Sequence, residues 1–185
     1  MEEKKNTLGR FLLSLSLSSL IAFAITFYFE KGDSITRNGA LRQHLEQLEF
    51  KDTYHDLKVV SEKEAGEQYL LLYTYMNKEG KRQIGLAFYR KMNVIPLYEL
   101  YRINDSPHLS VGTEFLHTNQ FIVYGDRDEI GADYITYRAN IQFRRIELEE
   151  NEYFIHIEPY EGMLLVPQVN FYSIDGKIVS STQAK

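Results

Sequence analysis

An unbroken apolar run near the N-terminus is the strongest pattern in the chain. Residues from Phe11 to Phe29 read FLLSLSLSSLIAFAITFYF and carry no charge. An α-helix rises 1.5 Å per residue, so this run would span roughly 28 Å, close to the ~30 Å hydrocarbon core of a bilayer. The pattern therefore predicts a single transmembrane helix over Phe11–Phe29, preceded by a tail of residues 1–10.

Two other interpretations of the run stay open. In the first, the run is a secretory signal peptide that is cleaved after Ala22-Phe23-Ala24. In the second, it is a buried helix of a soluble domain. The apolar residues continue from Ile25 to Phe29, which is untypical of a mature N-terminus and favours an uncleaved signal-anchor. Serines are tolerable in this helix because a hydroxyl can bond the carbonyl one turn earlier.

The flanking charges do not orient the predicted span by themselves. Lys4, Lys5 and Arg10 precede it, and three further cationic residues follow within fifteen positions, so the positive-inside count is level. A short tail before a large C-terminal domain is, however, the usual layout of an export signal. We therefore expect a cytoplasmic N-terminus, with the C-terminal domain outside the cell membrane.

Helical periodicity continues for one short stretch after the predicted span. The apolar residues of this stretch fall on one helical stripe: Ile35, Leu41, Leu45 and Leu48. They predict a short amphipathic helix over 34–50, within a juxtamembrane segment 30–52, with Asp33 or Ser34 as its N-cap. This helix would either pack on the following domain or lie on the membrane or against a second copy of the chain.

From Tyr54 onward, apolar and polar residues recur with the short period of β-strands. Gln68–Met76 is apolar on both faces, which is typical of a central strand covered on both sides. The loop Asn77–Lys81, with a glycine late in it, follows and leads into Gln83–Tyr89. These residues predict a hairpin.

The second half of the chain continues the β pattern. Ile135–Phe143 alternates strictly and predicts one half-buried antiparallel strand, with a bulge near Arg144 where the phase breaks. Asp175-Gly176 predicts a two-residue hairpin turn. The spacing of strands and turn signals predicts a mainly β domain over 53–181, an antiparallel β-sandwich or rolled sheet, with a polar tail at 182–185.

Charge and composition narrow the function classes. The chain has 21 Lys and Arg against 26 Asp and Glu, a net charge of −5, which argues against a protein that grips nucleic acid. Residues 1–30 carry three charges of each sign, so the negative charge belongs to the domain that follows. Cysteine is absent, which excludes disulfides, thiol catalysis, cysteine metal sites and lipoprotein anchoring.

Four stretches of the predicted β domain resemble small, mostly uncharacterised, membrane-anchored or secreted β-rich proteins of Gram-positive bacteria. These stretches are Phe121–Gly125, Asn140–Phe143, Phe154–Ile157 and Asp175–Ile178. The resemblance covers residues 120–180 and rests on turn and core residues. It implies a β-rich fold in an extracytoplasmic bacterial setting, and it carries over no functional residue.

An acidic loop is the strongest candidate for a metal site. Asp126 to Gly131 begins like a calcium loop, with acidic residues at positions 1 and 3 and glycine at position 6. The standard loop also needs an oxygen ligand at position 5 and a bidentate Glu at position 12, where this chain has Ile130 and Tyr137. The EF-hand type is therefore rejected, which leaves two alternatives. One is an acidic loop between strands, and the other is a weak, non-standard calcium site formed by Asp126, Asp128 and Asp133.

The sequence predicts no catalytic residues and no cofactor. It contains no H-E-x-x-H zinc motif, no G-x-S-x-G elbow, no S-x-x-K and no glycine-rich phosphate loop. A histidine metal site would need His44 to meet His55, or His108 to meet His117. A carboxylate pair would still permit an envelope hydrolase, because such pairs are defined by distance in space. The glutamates of one turn instead suit a solvated loop: Glu147, Glu149, Glu150 and Glu152.

Arginines and tyrosines offer a binding surface instead. The arginines would recognise an anionic wall polymer or lipid headgroup if they share a sheet face, unless they pair with local glutamates. This basic set comprises Arg138, Arg144 and Arg145, with Lys81, Arg82, Arg90 and Lys91 as a second group. The strand tyrosines either pack in the core or line a ligand groove. They are Tyr69, Tyr73, Tyr75, Tyr89, Tyr98, Tyr101 and Tyr124.

These features together predict a single-pass membrane protein with an extracytoplasmic β-rich domain. We expect this domain to bind or scaffold another envelope component, a protein or a wall polymer, without catalysis. The membrane is the expected partner of the N-terminal helix, nucleic acid is not an expected partner, and the oligomeric state is not fixed by the sequence. Two alternatives stay open: an envelope hydrolase that uses loop carboxylates, and a secreted protein formed by signal cleavage.

Overall fold

The structure is a computed structural model that describes nine stretches of the chain. These are residue 13 and residues 15–26, 34–48, 55–93, 95–106, 110–116, 120–139, 142–160 and 167–182. The chain divides into two compact units, Met1–Ile35 and Thr36–Lys185.

The first unit is helical at residue 13 and over residues 15–26 (α1). Its large apolar side chains are between 50% and 71% exposed. As expected, hydroxyls bond back to the preceding turn: Ser16 Oγ donates to the Leu13 carbonyl at 2.9 Å and Ser19 Oγ to the Leu15 carbonyl at 3.0 Å. Among the described residues, no helix is long and apolar enough to cross a membrane. Residues 11, 12, 14 and 27–29 of the predicted span lie outside the described residues.

The remainder is mainly β-structure, which confirms the predicted class. The described strands are β1 (Ile35–Arg37), β2 (His55–Ala65), β3 (Gln68–Met76), β4 (Arg82–Lys91), β5 (Leu97–Ser106), β6 (Val111–Leu116), β7 (Gln120–Asp126), β8 (Tyr134–Ala139), β9 (Gln142–Glu147), β10 (Tyr153–Pro159), β11 (Val169–Tyr172) and β12 (Ile178–Ser181). Two short helices accompany them, α2 (Leu41–Gln47) and α3 (Arg127–Ile130).

The strands form three sheets. A five-stranded sheet has the order β1-β5-β4-β3-β2, a three-stranded sheet the order β10-β7-β6, and a four-stranded sheet the order β12-β11-β8-β9. Neighbouring strands from β2 to β12 pair antiparallel, and one sheet is strongly curled. The prediction of antiparallel sheets is thus confirmed.

Three apolar clusters stack these sheets in layers. On β3, Leu71 and Tyr73 face α2, whereas Leu70 and Leu72 face the three-stranded sheet, because successive side chains of a strand point to opposite faces. β7 repeats this arrangement in the middle of the domain. One of its faces packs on the five-stranded sheet and the other on the four-stranded sheet. The order of layers is therefore α2, the five-stranded sheet, the three-stranded sheet and the four-stranded sheet.

Helix α2 is shorter than predicted and packs on the domain. Residues 35–37 form β1, and Gly39 then adopts a φ of +84°, so the predicted helical start at residue 34 is wrong. The left-handed backbone at this glycine interrupts the helix before Leu41. Leu45 is fully buried against the five-stranded sheet, and His44 Nδ1 lies 2.8 Å from Tyr89 Oη. Of the alternatives, packing on the domain is confirmed.

The predicted strand over Ile135–Phe143 is in fact two strands. β8 and β9 pair antiparallel, with Ala139 opposite Gln142, so the chain reverses between them. The broken phase near Arg144 follows from this reversal, and the predicted bulge there is wrong. Phe143 is 72% exposed, which explains the error, because its apolar side chain imitates a core position.

Two hairpins share one loop design. In the loop Asn77–Lys81, Gly80 N–H donates to the Asn77 carbonyl at 2.9 Å, and Gly80 has a φ of +72°. In Ser173–Lys177 the Gly176 N–H donates to the Ser173 carbonyl at 2.9 Å, with a φ of +78°. Both predicted hairpins are confirmed, but the second has a longer loop than the two residues expected, with its glycine in the left-handed position.

One tyrosine links three strands of the five-stranded sheet. Tyr73 lies opposite Gly85 on β4, and Gly85 lies opposite Asp105 on β5. The fully buried ring of Tyr73 crosses over Gly85, and its Oη donates to Asp105 Oδ1 at 2.6 Å. A Cβ on Gly85 would overlap Cζ and Oη of this ring. The glycine therefore provides the space through which the tyrosine reaches β5.

We expect Gly85→Ala to lower the free energy of unfolding by about 1–3 kcal/mol, because the added methyl displaces a packed ring. Urea denaturation of the wild type and the variant measures this loss. The same substitution in a Tyr73→Leu background is the control, since Leu lacks the ring that crosses Gly85. An equal loss in both backgrounds would show that overlap with Tyr73 is not the cause.

Candidate binding surface

The four-stranded sheet has one face that no core cluster of the described residues covers. Strand alternation sends Ile135, Tyr137 and Phe171 into the core, so their neighbours on β8 and β11 point outward. Residues of β9 and β12 that pair with these neighbours point to the same side. We call this set the outer face: Tyr134, Thr136 and Arg138 on β8, Phe143, Arg145 and Glu147 on β9, Asn170 and Tyr172 on β11, and Ile178 on β12.

A stack of planar groups crosses the centre of the outer face. The rings of Tyr134 and Tyr172 are parallel within 1°, with centroids 4.9 Å apart. On the β9 side, Arg145 places its Cζ 3.6 Å from the Tyr134 centroid. Arg145 Nε also donates to Glu147 Oε1 at 2.7 Å. The guanidinium is therefore held in place by a ring on one side and a carboxylate on the other.

Exposed apolar side chains flank this stack at both edges of the sheet. Phe143 is 72% exposed on β9, and Ile178 is 61% exposed on β12. Ile174, in the loop between β11 and β12, is 78% exposed. A set of large apolar side chains beside tyrosine and arginine has the composition of a recognition surface rather than of ordinary solvent-exposed sheet.

The outer face also differs from the chain in charge. The outer face carries two arginines, Arg138 and Arg145, against one glutamate, Glu147, in a chain with a net charge of −5. The predicted pairing with glutamates is confirmed for two arginines of β9: Arg145 pairs with Glu147 on the outer face, and Arg144 Nη1 lies 3.8 Å from Glu158 Oε2 on the inner side. The second basic group lies on and beside β4 of the five-stranded sheet, so the expectation of one shared face is wrong.

A polar cluster closes the inner side of the same sheet. Tyr137 Oη donates to Glu158 Oε2 at 2.9 Å, and His156 Nε2 lies 2.7 Å from Glu158 Oε1. Burial, together with the hydrogen bond and charge of Glu158, raises the pKa of Tyr137 to about 12, against the opposing effect of Arg144. The sequence analysis missed this cluster, although the i, i+2 spacing of His156 and Glu158 places both on one face of β10.

The calcium candidates have other contacts. Asp126 caps α3, since its Oδ1 accepts a hydrogen bond from Glu129 N–H at 2.9 Å, and Asp133 Oδ1 accepts one from Arg127 Nη2 at 3.1 Å. Burial raises the pKa of Asp126. The structure therefore does not gather Asp126, Asp128 and Asp133 into a calcium site. In the described part of the chain, no three His, Cys, Asp or Glu residues lie close enough together to hold a metal ion.

The remaining polar candidates are dispersed. His44 contacts Tyr89, and His108 and His117 lie outside the described residues. The four glutamates of the predicted solvated turn are all exposed.

Of the seven strand tyrosines for which core packing and a ligand groove were the alternatives, five are buried, which confirms packing for Tyr73, Tyr75, Tyr89, Tyr98 and Tyr124. Tyr134 and Tyr172, which form the stack, were not among the predicted binding tyrosines.

No protein-family model, no curated protein and no solved structure matches this chain. The resemblance to β-rich proteins of Gram-positive bacteria stays a prediction.

We expect the free energy of unfolding to fall as the pH rises from 10 to 12, with a contribution from Tyr137. In this range the unfolded chain loses the phenolic proton while the folded chain keeps it, so folding is progressively disfavoured. Other tyrosines add to the effect: burial and nearby carboxylates raise the pKa values of Tyr75 and Tyr153 to about 12, and burial also raises the pKa of Tyr89. Urea denaturation at several pH values measures the slope.

The Tyr137→Phe variant should show a shallower alkaline slope, because it removes one of the tyrosine ionisations whose pKa the fold raises. Glu158→Gln should have a smaller effect of the same sign, since burial alone accounts for the largest part of the shift. A slope that is identical in the wild type and Tyr137→Phe would contradict this assignment.

Proposed function

We propose that this chain is a membrane-anchored, non-catalytic binding module whose outer face holds an anionic component of the cell envelope. The main support for this proposal is the Tyr172–Tyr134–Arg145 stack beside the exposed ring of Phe143. Tyrosine, arginine and large apolar groups supply most of the binding energy in known interfaces. In an acidic chain, a locally basic face favours a ligand of opposite sign.

The stack prepares Arg145 for recognition of an anion. Its guanidinium is fixed by Tyr134 and by Glu147, and neither contact uses its Nη atoms. Those atoms form the paired hydrogen bonds by which arginine recognises carboxylates and phosphates. Because the side chain is already ordered, less conformational entropy is lost when a ligand binds. Arg138 lies opposite Phe143 on the neighbouring strand and extends the basic surface.

The anchor part of the proposal rests on the N-terminal sequence. The uncharged run Phe11–Phe29 has the length of a bilayer span, and the described residues within it are helical with exposed apolar side chains. Serine and threonine hydroxyls there bond back to carbonyls, so they add no unpaired polar groups to the helix. An uncleaved signal-anchor would keep the β-rich unit at the outer surface of the membrane.

We expect the mature protein to keep its N-terminal segment and to sediment with membranes after alkaline carbonate extraction. The reason is that a span of about 20 apolar residues is held by the bilayer itself. Edman sequencing or mass spectrometry of the purified protein identifies the first residue. A product that begins at Ile25 would contradict the anchor and support secretion.

We expect a photoreactive amino acid at Phe143 of the full-length chain to form covalent adducts in cells, because Phe143 is exposed within the proposed surface. The same group at Lys78, in the exposed β3–β4 loop, is the positional control and should form few adducts. Replacing Arg138 and Arg145 by Gln should reduce the Phe143 adduct by about tenfold, the effect of losing a central charged contact.

The matched charge control is the double variant Lys78→Gln and Lys81→Gln, which removes two cations from the β3–β4 loop and should leave the adduct unchanged. An adduct that is insensitive to the arginines, or equal at both positions, would contradict the proposed surface. Hydrolysis of peptidoglycan by the purified chain, lost on mutation of a carboxylate, would favour the hydrolase alternative.

A further inference from the structure

We propose that β9 is a docking edge, to which an extended acidic segment of a partner protein adds as a fifth strand of the four-stranded sheet. This inference rests on the proposed function and specifies the partner of the same surface. Strand addition uses backbone hydrogen bonds for affinity and alternate side chains for specificity. β9 provides both of these elements.

The backbone of β9 is suited to accept a strand. Among the described strands, β9 is at the end of its sheet, and its six residues pair with β8 in an unbroken register from Glu147 to Gln142. It contains no proline and no bulge, two of the devices that protect an edge. A third device, charged side chains, is present, and it makes pairing depend on the charge of the incoming strand. Five of its six side chains are exposed, with Ile146 the exception. The other terminal strand, β12, has only four residues and shows a register shift against β11.

The side chains of β9 favour a partner strand with negative charge. Arg144 points to the inner side and Arg145 to the outer face, and their side chains are 56% and 55% exposed. A strand beside β9 would therefore meet a cation on each of its faces, at two consecutive positions. Opposite charges directly across a sheet stabilise the pairing, so the partner needs two adjacent acidic residues. Beside them, the exposed Phe143 favours an apolar residue.

The same charges disfavour a second copy of this chain. Two β9 strands that pair antiparallel along all six residues place Arg144 of each copy directly opposite Arg145 of the other. Like charges in this position are destabilising. An anionic lipid or wall polymer would satisfy the arginines, but it has no peptide groups for the exposed backbone of the edge strand. An acidic peptide satisfies the arginines, Phe143 and the backbone together.

The test uses an end-blocked peptide, Lys-Val-Glu-Glu-Val-Thr, whose two glutamates fall opposite Arg145 and Arg144 when it lies antiparallel to β9. Its partner is the isotope-labelled fragment 31–185. This fragment contains the whole compact unit Thr36–Lys185 and every described residue of the three core clusters, so it keeps the packing that holds β9 in place. NMR titration should shift the amide signals of β9, and hydrogen exchange of its edge amides should slow.

Two N-methylated forms of the peptide separate strand addition from simple charge attraction. Each form carries methyl groups on alternate amides, in opposite phases, so that only one form has its methyl groups toward β9. We expect that form to bind at least tenfold more weakly, while the other binds like the parent peptide. Equal binding of the two forms would overturn strand addition. The peptide Glu-Val-Lys-Lys-Val-Thr, with its charges reversed, should not bind.

Variants of the fragment complete the test. Arg144→Gln with Arg145→Gln should weaken the parent peptide at least tenfold, while Lys78→Gln with Lys81→Gln should leave its affinity unchanged. Both arginines are exposed, and a thermal melt by circular dichroism verifies that the fold is kept. If the double variant folds and binds like the wild type, the proposed docking edge is wrong.

Separate probes distinguish this inference from the proposed function. Arginine-dependent binding of phosphatidylglycerol vesicles or of polyphosphate, without binding of the peptide, would overturn strand addition and leave the anionic surface intact. A dimer in sedimentation equilibrium that is lost in the arginine variant would also overturn it. If the Phe143 adduct in cells is independent of the arginines, the proposed function fails even if the peptide binds.

Discussion

Burial of two central strands on both of their faces is the constraint on which the rest of this domain depends. β3 and β7 carry apolar side chains at consecutive positions, so each needs cover above and below its sheet. α2 covers one side of β3, the three-stranded sheet covers the other, and the four-stranded sheet covers the far side of β7. The last layer to be added then has one face in the core and one face without cover. That remaining face is the outer face, so its existence follows from the stacking of the layers.

The register of β8 and β9 places two adjacent arginines on opposite faces of the sheet, where they make different contacts. Arg144 lies opposite Tyr137 and reaches the inner Glu158 cluster, whereas Arg145 lies opposite Thr136 and stacks on Tyr134. A slip of one residue would exchange the two faces of the strand. It would bring Arg145 toward the core and separate Tyr134 from its guanidinium. The polar cluster with Glu158 and the outer stack are therefore fixed by the same pairing.

Local patterns in the sequence predict the strands and hairpins well. They fail where contacts between residues far apart in the sequence determine the structure. The two-sided apolar run of β3 predicts its central position, because burial on both faces needs no knowledge of the partner. The stack of Tyr172, Tyr134 and Arg145 depends on the pairing of three strands, which no local pattern encodes. Phe143 misled the prediction because an exposed phenylalanine continues the alternation of a core strand. The predicted helix over 34–50 also included Gly39, whose positive φ interrupts it, because periodic apolar residues do not reveal the backbone conformation of a glycine.

The chain order of the strands has a consequence for how the domain assembles. β2, β3, β4 and β5 are consecutive neighbours, so this part of the five-stranded sheet forms from local hairpins with small losses of loop entropy. The β8–β9 hairpin lies between β7 and β10 in the sequence, although β7 and β10 pair directly with each other. In the four-stranded sheet, this hairpin pairs with β11, which follows β10 in the sequence and carries β12 on its other side. The outer face is therefore assembled from strands that pair across long stretches of the sequence. The proposed binding surface thus depends on long-range pairing, whereas most of the five-stranded sheet forms between neighbours in the sequence.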